Sequence, residues 1–329
     1  MPEVVTFGEC LICFVARDPG PLAEAHTFER FVAGAEAIVA VGLARLGHGV
    51  ALIGRVGADG FGVAIQRRLR GEGVETEHLT TDEGVITGLM FREQRILGPA
   101  QVVYARRDSA GSRLSVDDID RAAADGLLRD ARWLHMTGIT PALSDGARAA
   151  TFRLAELARA AGLAISLDLN LRRRLWSDEA AAPVLRELAA AADIVLGSPD
   201  EIAVVAGQPR EAPPVALARA ALSLGPSVTV VKLGADGALL LTAEAPDSPV
   251  VRPGLPLALV VDPVGAGDAF CAGFIAARLE ALPFERALEY ANACGAAAAA
   301  SLGDQTGLPD REELLALLAS GSGALDTIR

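Results

Sequence analysis

A glycine-rich stretch late in the chain has the residue types and spacing to bind an anion and to accept a proton. It reads Asp-Pro-Val-Gly-Ala-Gly-Asp-Ala-Phe at residues 262–270 and continues into an apolar segment of helical composition. A tight turn at a helix N-terminus directs several unpaired backbone N–H groups at one point, with the positive end of the helix dipole behind them. Such a point suits a phosphate, or the charge that develops on a phosphoryl group during transfer.

Asp268, the last residue of this turn, admits two interpretations. It could accept the proton of an attacking hydroxyl, because it stands beside the anion-binding turn. It could instead be an ordinary N-cap of the helix that follows, which is a common position for aspartate. Val260 and Val261, just before the turn, predict the end of a buried strand. We therefore expect a strand, the turn and a helix, with Asp268 at the start of the helix.

The whole chain has the composition of a large enzyme domain. Its 329 residues are 51% hydrophobic, which is enough for one sizeable α/β core, and no apolar run reaches the roughly 20 residues of a membrane span. The net charge of −12 argues against nucleic acid or anionic membranes as partners. No basic segment precedes the strand-like residues 4–8, so we expect no secretory signal and a cytoplasmic location.

Strand-like and helix-like segments alternate along most of the chain. The first half shows strands at 4–8 and 50–56, each followed by a helix, and this order predicts a doubly wound, mostly parallel sheet with helices on both faces. The alternation resumes after residue 112, with strands at 133–136, 163–169, 194–196 and 228–233, a hairpin partner at 238–241, and helices at 117–128, 147–161, 179–191, 285–300 and at the C-terminal end. We assign residues 1–329 to one domain.

Residues 10–33 and 84–108 break the alternation. Apolar runs at 87–92 and 101–106 predict the two strands of a hairpin. With the short runs of residues 10–33, this hairpin could build a second, small sheet. It could also be an ordinary hairpin at the edge of the main sheet, and the pattern alone leaves both arrangements open.

Polar residues follow several of the predicted strands. In an open parallel sheet, ligands bind beyond the carboxyl ends of the strands, so polar groups at several of these ends favour a single cleft. The positions are Glu9, residues 57–59, Asp168, Asn170, Arg172, Ser198, Glu201, Lys232 and Asp268.

The stretch at 262–270 resembles the signature of the ribokinase-like (phosphofructokinase-B type) sugar kinases, and residues 33–36 are similar to their N-terminal glycine motif. Residues 109–112, 135–144 and 166–172, with Leu175-Trp176, resemble the 2-keto-3-deoxygluconate kinases in particular. The resemblance implies the ribokinase-like fold, with the small sheet as a lid over the sugar. It also implies transfer of phosphate from ATP, with Mg²⁺, to a primary hydroxyl of a small sugar acid, with 2-keto-3-deoxygluconate and its 6-phosphate as substrate and product.

The resemblance also implies roles for single residues. Asp268 would be the catalytic base and contact the substrate, and the backbone of Gly265, Ala266 and Gly267 would bind the transferring group. The sugar would be contacted by Gly34, Arg106, Arg172, Asp168 and Asn170. Nucleotide contacts would come from Lys232, Gly234, Gly237, Ser198, Gly265, Gly267 and Asn292. Glu201 would order water around Mg²⁺, Asn292 and the 303–307 loop would lie by the adenine and a monovalent cation, and the lid strands would join a homodimer or larger homo-oligomer.

Four positions depart from the pattern of these kinases. Ile38 replaces an asparagine that hydrogen-bonds the sugar, and tyrosines common in the ketodeoxygluconate kinases are replaced by Met90, Ala105 and Leu171. These apolar side chains cannot hold sugar hydroxyls, so the hydroxyl-reading end of the site is expected to be remodelled. A kinase for a neutral sugar or another acid therefore stays an alternative. A catalytically silent sugar-binding regulator is a further one, although such a protein would not need Asp268.

Overall fold

The computed structural model of the chain describes residues 2–94 and 101–320. The strands are β1 (Val4–Phe7), β2 (Leu11–Pro19), β3 (Phe28–Ala33), β4 (Val50–Gly57), β5 (Leu79–Asp82), β6 (Gly88–Gln94), β7 (Val102–Ala105), β8 (Trp133–Thr137), β9 (Ala164–Asp168), β10 (Ile194–Gly197), β11 (Val228–Lys232), β12 (Ala238–Thr242) and β13 (Ala245–Arg252). The α-helices are α1 (Ala35–Arg45), α2 (Gly60–Gly71), α3 (Val116–Ala124), α4 (Asp145–Ala160), α5 (Asp178–Ala191), α6 (Pro199–Ala206), α7 (Pro214–Leu222), α8 (Ala266–Leu279), α9 (Phe284–Ala299) and α10 (Arg311–Ser320).

The main sheet has nine strands in the order β13-β12-β11-β10-β9-β8-β1-β4-β5. The pairs from β11 across to β5 are parallel, and the pairs β11–β12 and β12–β13 at one edge are antiparallel. The predicted mostly parallel sheet is therefore confirmed, as is the hairpin between β11 and β12. Parallel order brings the carboxyl ends of β1, β8, β9, β10 and β11 to the same edge, where a ligand site is expected.

Both faces of the main sheet are covered by helices. Successive strand residues point to opposite faces, and β1 shows this directly, since Val4 and Val5 belong to different hydrophobic clusters. The cluster around Val4 includes residues of α1, α8 and α9. The cluster around Val5 includes residues of α4, α5 and α7. Strands buried on both faces read as continuous apolar runs, which is why the sequence pattern located them.

A separate small sheet has four strands in the order β3-β2-β6-β7. Its centre is the parallel pair β2–β6, and antiparallel pairing adds β3 and β7 at the two edges. The predicted small sheet is confirmed, and the hairpin β6–β7 belongs to it and not to the edge of the main sheet. The middle of the expected hairpin, residues 95–100, lies outside the described residues.

The prediction of a strand ending at Val260 and Val261 is wrong. No strand is found between Arg252 and α8, and the two side chains are 55% and 47% exposed. The backbone N–H groups of Val261 and Asp262 instead donate to the carbonyl of Ala299 at the end of α9, at 2.9 and 3.1 Å. The adjacent apolar residues Val260 and Val261 predicted a buried strand, but the chain forms an irregular segment at this point. The short edge strand β5, the proline-containing edge strand β13 and helix α7 were not predicted, because none shows a clear apolar period.

In residues 2–94 and 101–320, no helix has the length and apolar character required to cross a membrane.

Candidate active site

The turn before α8, residues 262–268, which we call the signature turn, is fixed by glycine geometry. Gly265 is the N-cap of α8 and has a positive φ of 81°. A Cβ atom added to Gly265 would lie 2.9 Å from the carbonyl oxygen of Asp304, so both the backbone angle and the space require glycine. Asp268 lies in the first turn of the helix and is not its N-cap. Its carboxylate is therefore available for other contacts, which removes the N-cap interpretation.

Two cavities meet at the signature turn. The first, of about 320 Å³, has a mostly apolar lining that includes Ala266, Gly267 and Phe270, and we call it the apolar cavity. The second, of about 80 Å³, is lined by Gly265 and Asp268, and we call it the polar cavity. The turn thus separates a compartment large enough for a flat aromatic group from a smaller compartment into which the aspartate faces.

The polar cavity combines charged groups with an apolar side. Its carboxylates are Glu9, Glu36, Asp268 and Asp304, and its cations are Arg106 and Arg172. Leu11, Ile38, Met90, Ile139 and Val264 supply the apolar side. Both parts of the fold contribute. Met90 and Tyr104 belong to the small sheet, whereas Asp268 lies in α8 and Asp304 lies in the loop after α9. The small sheet therefore covers this end of the cleft.

Asp268 has the environment of a general base. Its side chain is 6% exposed, and burial, with a further contribution from the nearby Asp168 carboxylate, raises the pKa of Asp268 to about 7. The Arg172 and Lys232 charges oppose this rise. Asn170, which has a positive φ of 34°, donates from Nδ2 to Oδ1 of Asp268 at 3.0 Å. A carboxylate with a pKa near neutrality can take a proton from a hydroxyl and release it again.

Asp168 and Lys232 form a buried ion pair across the ends of β9 and β11. Lys232 Nζ donates to both carboxylate oxygens of Asp168, at 2.7 and 2.8 Å. Burial, the largest single effect, would lower the pKa of Lys232. The charge and hydrogen bond of Asp168, with further contributions from Cys271 and Glu201, together outweigh it, and the pKa lies above its ordinary value. Lys232 lines the apolar cavity beside Gly267, whose added Cβ would lie 3.5 Å from Nζ. Asp168 lines neither cavity and reaches the site through Lys232.

Arg106 lines the polar cavity but already has an acidic partner. Its Nη1 lies 3.1 Å from Glu9 Oε2, and its guanidinium stacks over the Tyr104 ring at 4.5 Å. Burial raises the pKa of Glu9 to about 7, although Arg106 and the hydroxyl of Ser109 act to lower it. Arg106 Nε has no hydrogen-bond partner in the described part of the chain. Arg106 therefore has donor capacity that its ion pair with Glu9 does not use.

Arg172 differs from the two arginines that follow it. Arg173 pairs with Asp178 and Asp200, and Arg174 donates to the carbonyl of Val102. Arg172 lines the polar cavity and, within residues 2–94 and 101–320, has no acidic partner at ion-pair distance. Its charge lowers the pKa of Asp268 and of Asp304. Arg172 is thus an unpaired cation beside the base.

Ser198 and Glu201 form a capping box at the start of α6. Glu201 Oε2 accepts from the backbone N–H of Ser198 at 2.8 Å, and Oε1 accepts from the N–H of Leu171 at 2.9 Å. Neither residue lines one of the two cavities. Among the described residues, no cluster of three or more His, Cys, Asp or Glu could hold a metal directly. A carboxylate has further lone pairs for water, so Glu201 fits an indirect contact to Mg²⁺, and this role stays a prediction.

The expected nucleotide residues Gly234, Gly237 and Asn292 line the apolar cavity. Asn292 Nδ2 donates to the carbonyls of Arg252 and Pro253, at 3.3 and 2.9 Å. A Cβ added to Gly237 would lie 2.1 Å from the carbonyl oxygen of Arg252. The glycine turn, the segment after β13 and α9 therefore pack together to form one wall of this cavity.

Gly34 meets the polar cavity through its backbone. It has a positive φ of 127° and is the N-cap of α1. A Cβ at this position would lie 2.3 Å from the carbonyl oxygen of Glu9. The glycine therefore allows the end of β3 to approach the residues after β1.

Sequence reasoning did not assign Glu36, Tyr104 or Arg92 to the site. It expected the loop that contains Asp304 by the adenine and a monovalent cation, whereas Asp304 lines the polar cavity. Glu36 is buried and accepts from the hydroxyls of Thr137 and Thr140, each at 2.7 Å. Glu36 belongs to the N-terminal glycine motif, so the signal was present, but only Gly34 of that motif was given a role. Asp304 lies in a loop without a pattern of its own. Arg92 is a charged residue in the partly apolar strand β6, and a charge at that position was the signal that sequence reasoning could have used.

The four departures from the kinase pattern fall in different places. Ile38 and Met90 line the polar cavity, as expected for positions that face the sugar. Ala105 is exposed and does not line it, whereas its neighbour Tyr104 does. Leu171 lies outside the polar cavity. The site therefore keeps one tyrosine in the small sheet, and its loss of polar groups is concentrated at Ile38 and Met90.

Comparison with known proteins gives full-length matches to sugar kinases. The 2-dehydro-3-deoxygluconokinase of Bacillus subtilis (strain 168) is 37% identical over 321 residues, 97% of this chain and 96% of that protein. The enzyme of the same name from Thermoproteus tenax is 37% identical over 327 residues, 97% of this chain and 95% of that protein. A probable fructokinase-7 of Arabidopsis thaliana is 33% identical over 326 residues, 96% of this chain and 92% of that protein.

Solved structures agree in fold. The PfkB protein from Polaromonas sp. JS666 has a TM-score of 0.85 at 37% identity and covers 96% of this chain and 100% of that one. A putative ribokinase II from E. coli, solved in complex with ATP and Mg²⁺, has a TM-score of 0.88 at 27% identity and covers 97% and 100%. The family model described as pfkB family carbohydrate kinase matches residues 1–311. The chain therefore belongs to the pfkB family of carbohydrate kinases and has their ribokinase-like fold.

Proposed function

We propose that this sugar kinase transfers the γ-phosphate of ATP to the primary hydroxyl of a 2-keto-3-deoxy sugar acid, with 2-keto-3-deoxygluconate as the first candidate. The observation that carries the proposal is the placement of Arg172 and Asp268 in one small cavity, with no acidic partner for Arg172 in the described residues. An arginine can bind a carboxylate through two parallel hydrogen bonds. The relatives named 2-dehydro-3-deoxygluconokinase support the same substrate class.

In the proposed reaction, each side of the signature turn has its own ligand. The apolar cavity would hold the nucleotide base and Lys232 would lie by the phosphates, while the polar cavity would hold the sugar acid. Asp268 would accept the proton of the primary hydroxyl, and the backbone of Gly265, Ala266 and Gly267 would bind the transferring group. Mg²⁺ carried with the nucleotide would neutralise phosphate charge. Phosphoryl transfer depends mainly on such positioning and charge stabilisation.

A neutral sugar is the second candidate, and three observations favour it. Arg106 is already paired with Glu9, so within the described residues Arg172 is the one unpaired arginine of the polar cavity, and this cavity holds more carboxylates than cations. A fructokinase is also among the relatives. The two candidates differ in one measurable property, which is whether the carboxylate of the substrate is required.

Turnover of ATP with a panel of acceptors tests the proposal. The panel should contain 2-keto-3-deoxygluconate, its C4 epimer, fructose and ribose, each at several concentrations. We expect the acids to exceed the neutral sugars in kcat/KM by at least about 30-fold. Arg172 is exposed, but a bound sugar would cover it, and a covered charge that lacks its partner costs about 2–5 kcal/mol. Equal turnover of fructose or ribose would contradict the sugar-acid assignment and support the second candidate.

We also propose that the small sheet forms the contact of a homodimer. Phe28 in β3 and Val103 in β7 are large apolar side chains with substantial exposure, and Ile86, just before β6, is 59% exposed. Val103→Glu should shift the protein from dimer to monomer in sedimentation velocity, whereas Leu315→Glu, an exposed position on α10, should not. A monomeric wild type would contradict this part of the proposal.

A further inference from the structure

Arg92 connects the small sheet to the signature turn. It belongs to β6 and is 4% exposed. Its Nη1 and Nη2 donate to the two carboxylate oxygens of Asp262, at 2.8 and 2.5 Å. Asp262 is the first residue of the signature turn, and 170 residues separate the partners in sequence. A side chain of the small sheet thus contacts the segment that leads to Gly265 and Asp268.

Asp262 also accepts hydrogen bonds from two backbone segments. Its Oδ1 accepts from the N–H of Val264 at 3.1 Å, and its Oδ2 accepts from the N–H of Gly303 at 3.3 Å. Asp262 therefore sets the path of the turn just before Gly265 and holds the 303–307 loop against it. The orientation of a bidentate arginine fixes the carboxylate plane, so the position of Arg92 also fixes these two hydrogen bonds.

A second carboxylate lies at the same place. Asp304 Oδ1 is 3.9 Å from Arg92 Nη2, and the backbone carbonyl of Asp304 packs against Gly265. Burial raises the pKa of Asp304 to about 6, while the Arg92 charge acts to lower it. In the described residues, Arg92 is the only cation at ion-pair distance from Asp262 or Asp304. Without it, two buried carboxylates would lie beside a turn proposed to bind an anion.

The 303–307 loop, at which a monovalent cation was expected, has buried polar atoms without a hydrogen-bond partner in the described residues, namely Oδ1 of Asp304 and both side-chain amide atoms of Gln305. A cation there would have to compete with a guanidinium that already binds both oxygens of Asp262. An ion pair within the protein needs no capture of an ion from solution, and the arginine stays charged at any working pH. The positive charge beside this loop is therefore supplied by the side chain of Arg92.

We propose that Arg92 is a positioning residue for phosphoryl transfer, which holds the signature turn from the small sheet and makes a monovalent cation at the 303–307 loop unnecessary. The inference rests on the proposed role of the turn as the phosphate site. It predicts that transfer depends on Arg92 and does not depend on K⁺ or Na⁺.

The first arm of the test uses the wild-type protein. Its kcat with ATP, Mg²⁺ and whichever sugar of the panel is the best acceptor should be measured in choline chloride, NaCl and KCl at constant ionic strength. We expect the same kcat in the three salts. The melting temperature with a non-hydrolysable ATP analogue and Mg²⁺ should also be the same in the three salts. A wild-type kcat that rises with K⁺ or Na⁺ and saturates would overturn the proposal.

The second arm uses Arg92→Gln, Arg92→Lys and the control Arg17→Gln. Arg17 lies in β2 of the same sheet and forms an exposed ion pair with Glu29, so its loss should leave kcat unchanged. Arg92→Gln should lower kcat by about tenfold or more with little change in KM for ATP, because the donors of the turn lose their alignment. Arg92→Lys should recover part of that loss. A folded Arg92→Gln protein with wild-type kcat would overturn the proposal.

A third arm separates alignment from folding. If Arg92→Gln does not fold because Asp262 is left unpaired, Arg92→Gln with Asp262→Asn removes the buried charge and should fold. This double variant should show the low kcat of a misaligned turn, and wild-type kcat in it would overturn the proposal. Failure of the proposed function looks different, because then the wild type has no kinase activity in any salt. The melting temperature with the nucleotide analogue still reports whether K⁺ binds with it.

Discussion

Asn170 Nδ2 donates to Oδ1 of Asp268 at 3.0 Å. The donor follows β9 and the acceptor lies in the first turn of α8, so this contact joins the edge of the main sheet to the signature turn. One carboxylate oxygen of Asp268 is held by the amide, and a general base needs only the other to meet the substrate hydroxyl. The contact therefore orients the base without occupying it completely.

Asp268→Asn tests the base directly. The amide keeps the shape of the side chain but cannot accept a proton at neutral pH, so kcat should fall by about 10²–10⁴. Binding of ATP should change little, because Asp268 faces the polar cavity and not the apolar one. Steady-state kinetics and isothermal titration with ATP and Mg²⁺ measure the two effects. A variant that keeps more than about a tenth of the wild-type kcat would exclude Asp268 as the base.

The pH dependence of kcat should reflect the raised pKa of Asp268. Only the ionised carboxylate accepts a proton, and its pKa is about 7, so kcat should rise with pH and level off above about pH 8. The acid limb should follow the loss of one proton. A profile that stays flat from pH 8 down to pH 5 would show that no group with this pKa controls transfer.

Glu9 gives a separate pH effect on stability. Its pKa is about 7 in the folded protein against an ordinary 4.5, so folding favours the protonated form. Its contribution to the free energy of unfolding is therefore fully present below about pH 4.5 and is lost as the pH rises through about 7. Glu9→Gln should remove this loss, which denaturant unfolding of both proteins at pH 5 and pH 8 measures. An equal pH dependence in the two proteins would contradict the raised pKa.

Lys232 was expected from sequence to contact the nucleotide, and the structure also makes it the partner of the fully buried Asp168. Lys232→Met should lower the free energy of unfolding by about 3–5 kcal/mol, since it leaves that carboxylate buried and unpaired. Lys232→Met with Asp168→Asn should recover a large part of the loss. Equal stability of the single variant and the wild type would contradict the buried pair.

The convergence of polar residues at one sheet edge could be predicted from the sequence. Buried parallel strands read as apolar runs, and Asp168, Asn170 and Lys232 follow such runs, so the topology alone brought them towards Asp268. The strands of the small sheet were also predictable, because they interrupt the alternation, but the pattern alone left open whether they form a separate sheet.

Side-chain pairing could not be predicted in the same way. Arg106 was expected to contact the sugar, and its ion pair with Glu9 depends on a packing of β1, β6 and β7 that no local pattern shows. Arg92 and Asp262 are separated by 170 residues, so no local pattern in either segment predicts their contact. The irregular segment with Val260 and Val261 was misjudged because exposed valines near a cavity have the same composition as a buried strand.

Arg172→Ala tests the substrate charge, and Arg173→Ala is its matched control. Arg172 lines the polar cavity with no acidic partner in the described residues, whereas Arg173 pairs with Asp178 and Asp200 at the surface. If Arg172 binds the substrate carboxylate, its loss should lower kcat/KM for the sugar acid by about 30-fold or more. Any slow turnover of fructose should be unchanged when both proteins are measured on the alkaline plateau of their pH profiles. Arg173→Ala should change neither.

The same pair of variants gives a second readout that does not depend on the identity of the sugar. The Arg172 charge lowers the pKa of Asp268, so Arg172→Ala should move the acid limb of the kcat profile to higher pH. Arg173→Ala should leave the limb in place. A shifted limb with an unchanged preference for the acid would show that Arg172 lies beside the base but does not read the carboxylate. In that case Arg106, the other arginine that lines the polar cavity, would bind the substrate carboxylate while it stays paired with Glu9.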